Sequence, residues 1–193
     1  MSQKFKILDK KNIHDGFFKM NEVTLKYKKY DGNWSNEIKR ELFGGAQVSA
    51  VLPYDPVNKK IVLIQQFRPG TISKNNQNYL DEIVAGIIDP GETPEDTAKR
   101  ECLEETGCEV SNLTSIQGYF PAPGSSESFY NLFLGKVIAP DKDIIRGLEN
   151  ENEDILVKSY SFDEVKTKMN TKQILNGLTL IALQWFFLNI ERT

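Results

Sequence analysis

Glu92, Arg100, Glu101, Glu104 and Glu105 crowd four carboxylates and one guanidinium into a short stretch of chain. On a helix, positions 101, 104 and 105 share one face, because spacings of three and four residues bring side chains above one another. Like charges so placed cost a helix roughly 0.2–0.5 kcal/mol per pair. A hard divalent cation offsets that repulsion, since it takes oxygen ligands and bridges readily to phosphate. The chemistry such a face can support is metal-assisted attack on a phosphoryl group. A solvated acidic face is the plain alternative.

The helix that must carry these side chains is marked locally. Thr93 can cap it, Pro94 suits its first position, and Glu95 and Asp96 suit the positive end of its dipole. Gly107 suits a left-handed stop.

The spacing is also specific. Gly86, Glu92, Arg100, Glu101, Cys102, Leu103, Glu104, Glu105, Thr106, Gly107 and Cys108 fill, slot for slot, a pattern that resembles the signature of the Nudix hydrolases. Every fixed position is met. The departure is that two apolar slots hold Cys, which behaves as a small hydrophobe when buried.

With 193 residues, 39% hydrophobic and 26% charged, the chain has the composition of an ordinary globular domain with a core. The net charge of −3 argues against a broad nucleic-acid footprint. Phosphate binding must then be local, through a metal and a few arginines. The N-terminus shows no long apolar run of a signal peptide. Cys102 and Cys108 fit neither a metal pattern nor a disulfide framework, and suggest a reducing compartment, hence the cytoplasm. His14 is the single histidine, so a multi-histidine metal site is excluded and any general base is expected to be a carboxylate.

The elements follow from periodicity. Residues 1–43 read as an N-terminal β-arm: Val23, Leu25 and Tyr27 alternate with polar residues, Asp31-Gly32 signals a hairpin, and a second extended run passes Ile38 and Leu42. A hairpin needs a surface to pack on, either its own core or a second subunit. Residues 44–193 read as the main domain. Strands are expected at 48–52, 61–67, 79–84, 116–120, 129–137 and 155–162, and a short helix at about 163–169. Residues 173–190 carry no charge, and a long helix over 171–190, capped by Thr171, is expected to be buried against a sheet. The architecture expected is α/β (α+β), a mixed β-sheet sandwiched between helices, with an antiparallel N-terminal arm.

A second acidic run, Glu149-Asn150-Glu151-Asn152-Glu153-Asp154, could supply the group that takes a proton from an attacking water, or could be a solvated loop. The resemblance now widens. Gly16-Phe17-Phe18, Lys39-Arg40-Glu41, the run from Val62 to Arg68, Ala85-Gly86, Pro123-Gly124 with Glu127, the acidic run with Ile155, and Ile181-Ala182-Leu183-Gln184-Trp185 are similar to the ADP-ribose pyrophosphatase branch of the Nudix hydrolases, bacterial type. A proline where Pro123 stands, beyond the signature, is a marker associated with ADP-ribose specificity.

The resemblance implies the following roles. The Ala85 carbonyl, Glu101 and Glu105 would hold magnesium, with manganese as a substitute and Glu104 auxiliary. Gly86 would lie at the substrate. Arg100 would orient the carboxylates through Glu92; its plain alternative is a pair with Glu104. Glu151 would be the general base, with Glu153 its alternative. Arg68 would bind the pyrophosphate, Glu127 the terminal ribose, and Phe17 and Arg40 would sandwich the adenine from different subunits of a homodimer with swapped arms. Ala122-Pro123-Gly124-Ser125 departs from the family's frequent Ser-Pro-Gly-Gly, which puts a hydroxyl contact at 122 in doubt; Ser125 and Ser126 could compensate. The implied reaction is hydrolysis of ADP-ribose to AMP and ribose 5-phosphate, with no nucleic-acid or membrane partner. Two rivals are a diphosphatase for another nucleotide sugar such as GDP-mannose, and a non-catalytic sensor of ADP-ribose. The intact carboxylates argue against the sensor.

Overall fold

The computed structural model describes residues 3–74, 78–148 and 152–191. Its contacts divide into two units, one of residues 1–47 with 119–129, the other of residues 48–118 with 130–193.

The first unit is built on a three-stranded antiparallel sheet in the order β1 (Phe5–Asp15), β2 (Lys19–Tyr27), β3 (Ile38–Phe43). The β2–β3 hairpin expected at Asp31-Gly32 is present, with Gly32 at φ 83°. Trp34 pairs with Lys28 across its base and lies under the ammonium groups of Lys6 and Lys28, each 4.8 Å from the ring centroid. β1 was not legible as a strand: its residues are all exposed, so no buried face imposes a period-two pattern. Its apolar side chains Phe5, Ile7, Leu8 and Ile13 face solvent. The 119–129 segment is tied to this sheet by Phe43 N–H donating to the Ser125 carbonyl at 2.8 Å and Glu127 N–H to Phe43 at 3.1 Å. Gly45 is required there, because a Cβ would collide with the Glu127 backbone.

The second unit holds an eight-stranded sheet. Its central path runs β10 (Ile144–Arg146), β11 (Ile155–Ser161), β5 (Lys60–Phe67), β4 (Gln47–Asp55), β9 (Phe129–Lys136), β8 (Asn112–Tyr119), with β6 (Tyr79–Glu82) on β5 and β7 (Val84–Ile87) on β4. One expected strand, 79–84, is thus two. The chain leaves β5 at Glu82 and joins β4 at Val84, and the Ile83 N–H between them goes to Thr179 Oγ1 at 3.0 Å instead of to a strand.

Alternation along β5 sends side chains to both faces. Val62 and Ile64 join Val51, Val84, Val157 and the helix residues Ala98 and Cys102 in one cluster. The helix is α1 (Pro94–Thr106). Ile61, opposite Tyr54 in register, faces the other way, where the Tyr54 ring meets Phe186 of α3 (Gly177–Asn189) at 5.4 Å. α2 (Phe162–Asn170) opens with a capping box from Ser161 and Glu164 and also packs on this side, Phe162 meeting Phe186 at 5.1 Å. The mixed sheet between helices is therefore as expected.

One boundary is corrected. The long helix over 171–190 does not form as such: Thr171 closes α2, its hydroxyl donating to the Thr167 carbonyl at 2.7 Å, Lys172 turns to φ 59°, and α3 starts only after Asn176, whose side chain accepts from Thr179 N–H. Two polar residues could cap, and the fold uses one for each purpose. α3 buries Thr179, Ala182, Leu183 and Phe186, and among the described residues no helix is long and apolar enough to cross a membrane.

Candidate active site

α1 begins and ends as its sequence dictates. Thr93 Oγ1 accepts from Asp96 N–H at 3.2 Å, and Gly107 closes it at φ 73° with its N–H on the Leu103 carbonyl. Ser49 of β4, fully buried, donates to the Pro94 carbonyl and fixes the first turn against the sheet. α1 lies over β7. The approach is so close that a Cβ at Gly86 would overlap the Glu101 carboxylate. Glycine at 86 therefore leaves the bare backbone as one wall of a cradle for that carboxylate.

Arg100 fastens the acidic face. Its Nε and Nη2 donate to Glu92 at 2.8 and 3.0 Å, and its Nη1 donates to Glu101 at 2.9 Å and Glu104 at 3.0 Å. Both the link through Glu92 and the plain pair with Glu104 thus exist together. Thr97, missed in the sequence, adds a hydrogen bond to Glu92 at 2.7 Å. Hydrogen bonds from Arg100, then Thr97, hold the Glu92 carboxyl down at about 2, and Glu92 in turn raises the Arg100 guanidinium above its ordinary value.

The two carboxylates beneath behave oppositely. Burial pushes Glu101 up despite Arg100, with the charges of Glu104 and Glu153 adding to it. Burial pushes Glu105 far above the usual carboxylate range, and Glu101 and Glu153 push further; Arg68 and a backbone hydrogen bond from Ala85 oppose them. Glu105 is 4% exposed, and its buried Oε2 has no hydrogen-bond partner. A buried, unpaired carboxylate oxygen facing like charges calls for a cation.

Among the described residues no three His, Cys, Asp or Glu side chains stand together as a ready metal cage. The donor set nevertheless fits a magnesium-like ion, which is commonly held by one or two carboxylates plus water and substrate phosphate. Glu101, Glu105 and the adjoining Ala85 backbone are such a set.

Glu153, just ahead of β11, donates its N–H to the Leu148 carbonyl at 3.2 Å. Glu151 lies outside the described residues. Arg68, just past β5, clasps Glu82 with Nε and Nη2 at 2.9 and 2.7 Å, and its side chain is 43% exposed. Glu82 carried no sequence signal beyond its place in a strand.

Phe17, Arg40 and Glu127 belong to the other unit. Phe17 stands at the β1–β2 turn, 87% exposed, edge-on to Phe18. Arg40 pairs in register with Val23, three residues farther from that turn than Phe43 opposite Met20, and donates to the Lys39 carbonyl. Glu127 is held by both oxygens to Lys10 Nζ at 3.1 Å, a partner the sequence did not suggest. Beside it opens a cleft of 360 Å³, lined by Phe18, Phe43, Ala122, Ser125, Ser126 and Ser128 among others.

A capped helix bearing a clamped row of carboxylates over a bare glycine is the geometry of a divalent-metal hydrolase. Residues 45–177 match the NUDIX domain family, and the chain belongs to that family. Its members are generally dependent on divalent metals. The chain is 35% identical to the ADP-ribose pyrophosphatase of Haemophilus influenzae over 97% of its own length and 88% of the relative's. It is 33% identical to the protein of that name from Escherichia coli K12, over 95% and 88%. A GDP-mannose pyrophosphatase of Shigella flexneri is 28% identical over 96% of both chains. A crystal structure of an ADP compounds hydrolase superposes with a TM-score of 0.76 at 21% identity, over 98% of this chain and 96% of that one, which shows the shared fold.

Proposed function

We propose that this chain hydrolyses the pyrophosphate of ADP-ribose to AMP and ribose 5-phosphate, with magnesium, as a cytoplasmic homodimer. The observation that carries the chemistry is the buried Glu105 carboxylate, unpartnered at Oε2, beside Glu101 in the Gly86 cradle. The substrate is supported by the two relatives named ADP-ribose pyrophosphatase, which align along nearly the whole chain.

Bound by Glu101, Glu105 and the Ala85 carbonyl, with Glu104 in support, a magnesium ion would neutralise the pyrophosphate and acidify a water. Glu151 takes the proton from the water that attacks phosphorus, with Glu153 as the alternative base. Arg68 binds the pyrophosphate oxygens, in the ground state and in the transition state alike. Arg100, through Glu92, keeps the carboxylates aligned. Phe17 and Arg40 stack on the adenine, each from a different subunit, and Glu127 with the nearby serines meets the terminal ribose. The solvent-facing Phe5, Ile7, Leu8 and Ile13 on β1 support an arm that packs on a second copy.

A GDP-mannose diphosphatase is the second reading, favoured by the Shigella relative. The deciding experiment is phosphate release from a panel of nucleotide sugars, coupled to a phosphatase, with and without magnesium. ADP-ribose should lead the panel by kcat/KM and only with the metal. GDP-mannose in first place would select the second reading, and turnover unaffected by chelator would overturn both.

A further inference from the structure

Glu82 is 4% exposed and has no part in the reaction drawn above. A buried carboxylate must be paired and hydrogen-bonded to be tolerated as an anion. Its pairing is unusual in direction. In register Glu82 faces Ile64, so Arg68, beyond the end of β5, reaches back along the sheet to meet it. Arg68 Nε and Nη2 both converge on Glu82 Oε2. Glu82 Oε1 accepts from Asn176 Nδ2 at 2.9 Å. Asn176 is the cap of α3, and its Oδ1 accepts from Thr179 N–H at 3.0 Å and from the Thr179 hydroxyl at 3.2 Å. That hydroxyl also accepts the Ile83 N–H at the break between β6 and β7.

One continuous hydrogen-bonded path therefore leads from the start of α3 to the guanidinium. It engages Nε and Nη2 of Arg68 and leaves Nη1, which has no partner among the described residues, for a phosphate oxygen. A guanidinium fixed in advance loses less side-chain entropy on binding than a free one. We propose that Glu82, itself held by Asn176, is the positioning residue that presents Arg68 to the substrate pyrophosphate. This rests on the assignment of Arg68 to the pyrophosphate given above.

The test is steady-state kinetics with ADP-ribose in excess magnesium on Arg68→Ala, Glu82→Gln, Asn176→Ser and the double variant Arg68→Ala/Glu82→Gln, with Tm measured on each. In Glu82→Gln the amide oxygen can stay on Asn176 Nδ2, but its NH2 then faces the guanidinium donors and the clasp opens. KM should rise about fivefold or more with kcat within about twofold, the signature of lost binding shared by ground and transition states. Asn176→Ser keeps a good helix cap and loses only the donor to Glu82, so KM should rise about two- to fivefold at a Tm near that of the wild type. That variant decides the matter if Glu82→Gln fails to fold. The double variant should be no worse than Arg68→Ala, because Glu82 acts only through Arg68.

Unchanged KM in Glu82→Gln and Asn176→Ser, beside a raised KM in Arg68→Ala, would overturn the proposal and leave the site assignment standing. Effects that multiply in the double variant would overturn it too, as an independent structural lesion would give that result. Unaltered kinetics in Arg68→Ala would instead remove the assignment of Arg68, and this inference with it.

Discussion

Replacing Glu105 by Gln should make the metal-free protein more stable and the enzyme far slower. In the folded chain Glu105 is buried one helical turn from Glu101, with Glu153 also acting on it. Side chains four apart on a helix are about 5–6 Å apart at Cβ. At an effective dielectric of 20, two unit charges at that distance repel by about 3 kcal/mol. A carboxyl that takes up a proton escapes part of this, so relief of at least about 1 kcal/mol is the expectation, roughly 2–4 °C in Tm for a chain of this size. The amide is isosteric, can keep the hydrogen bond from Ala85, and leaves one buried polar atom unpartnered, as the carboxylate already does. Magnesium should reverse the order. At 100 times its Kd a ligand adds about 2.7 kcal/mol to the form that binds it, and the variant forfeits most of that. Turnover should fall at least about a hundredfold, the scale of one strong electrostatic contributor. Thermal melts in chelator and in magnesium, paired with ADP-ribose turnover, read all three effects. A variant with near-normal turnover, or one less stable than the wild type in chelator, would refute the reasoning.

In the loop, Glu151→Gln should lower turnover by about 10²–10⁴ with little change in KM; if Glu153→Gln is the damaging change in a kcat comparison, the base is Glu153. In the arm, Phe17→Ala and Arg40→Ala should each raise KM roughly five- to hundredfold, the worth of stacking one base. Co-refolding Arg40→Ala with the inactive Glu105→Gln protein should restore activity through a hybrid site with neither lesion; a mixture no better than its parents rules out exchanged arms. For stability, Asp55 is buried and accepts from Val57 N–H, both Asn58 donors and Ala139 N–H at 2.8–3.0 Å. Burial pushes its carboxyl up, but these bonds prevail and hold it below 3.8. Its folded value is depressed, so its contribution is present above about 3.8 and is lost as pH falls through the folded value. Asp55→Asn should cost about 1–3 kcal/mol in denaturant melts at pH 7, and the gap should close in acid.

Where the determinants are local, they were legible. Thr93, Pro94 and Gly107 state the ends of α1 in adjacent residues, and the structure uses each as expected. The mixed sheet between helices followed from strand and helix periods. The start of α3 was misplaced because Thr171 and Asn176 are both competent caps, and only the packing of Phe186 on Tyr54 and Phe162 decides between them. The break at Ile83 was invisible because its cause, Thr179, lies 96 residues away. The clustered acids and Arg100 could be read from spacing; the pairing of Arg68 with Glu82 could not, since it joins a loop to the next strand out of register. Asn176 gave no further signal within the uncharged tract, and its second bond, to Glu82, exists only once α3 lies beside β6.

The two native thiols give this chain a practical advantage. A thiol attacks a maleimide only as the thiolate. Cys102 is 0% exposed and pushed up to about 12 by burial, and Cys108, 6% exposed, is pushed up for the same first reason. Folded at neutral pH, the wild-type chain is thus a cysteine-silent background for bioconjugation. A cysteine placed at Tyr30, fully exposed on the β2–β3 hairpin, would take one fluorophore without any native cysteine being removed first. Energy transfer between two such labelled copies would then test the proposed dimer directly. The same silence supplies a clock: the rate at which Cys102 becomes labelled measures how often α1 lifts from the sheet.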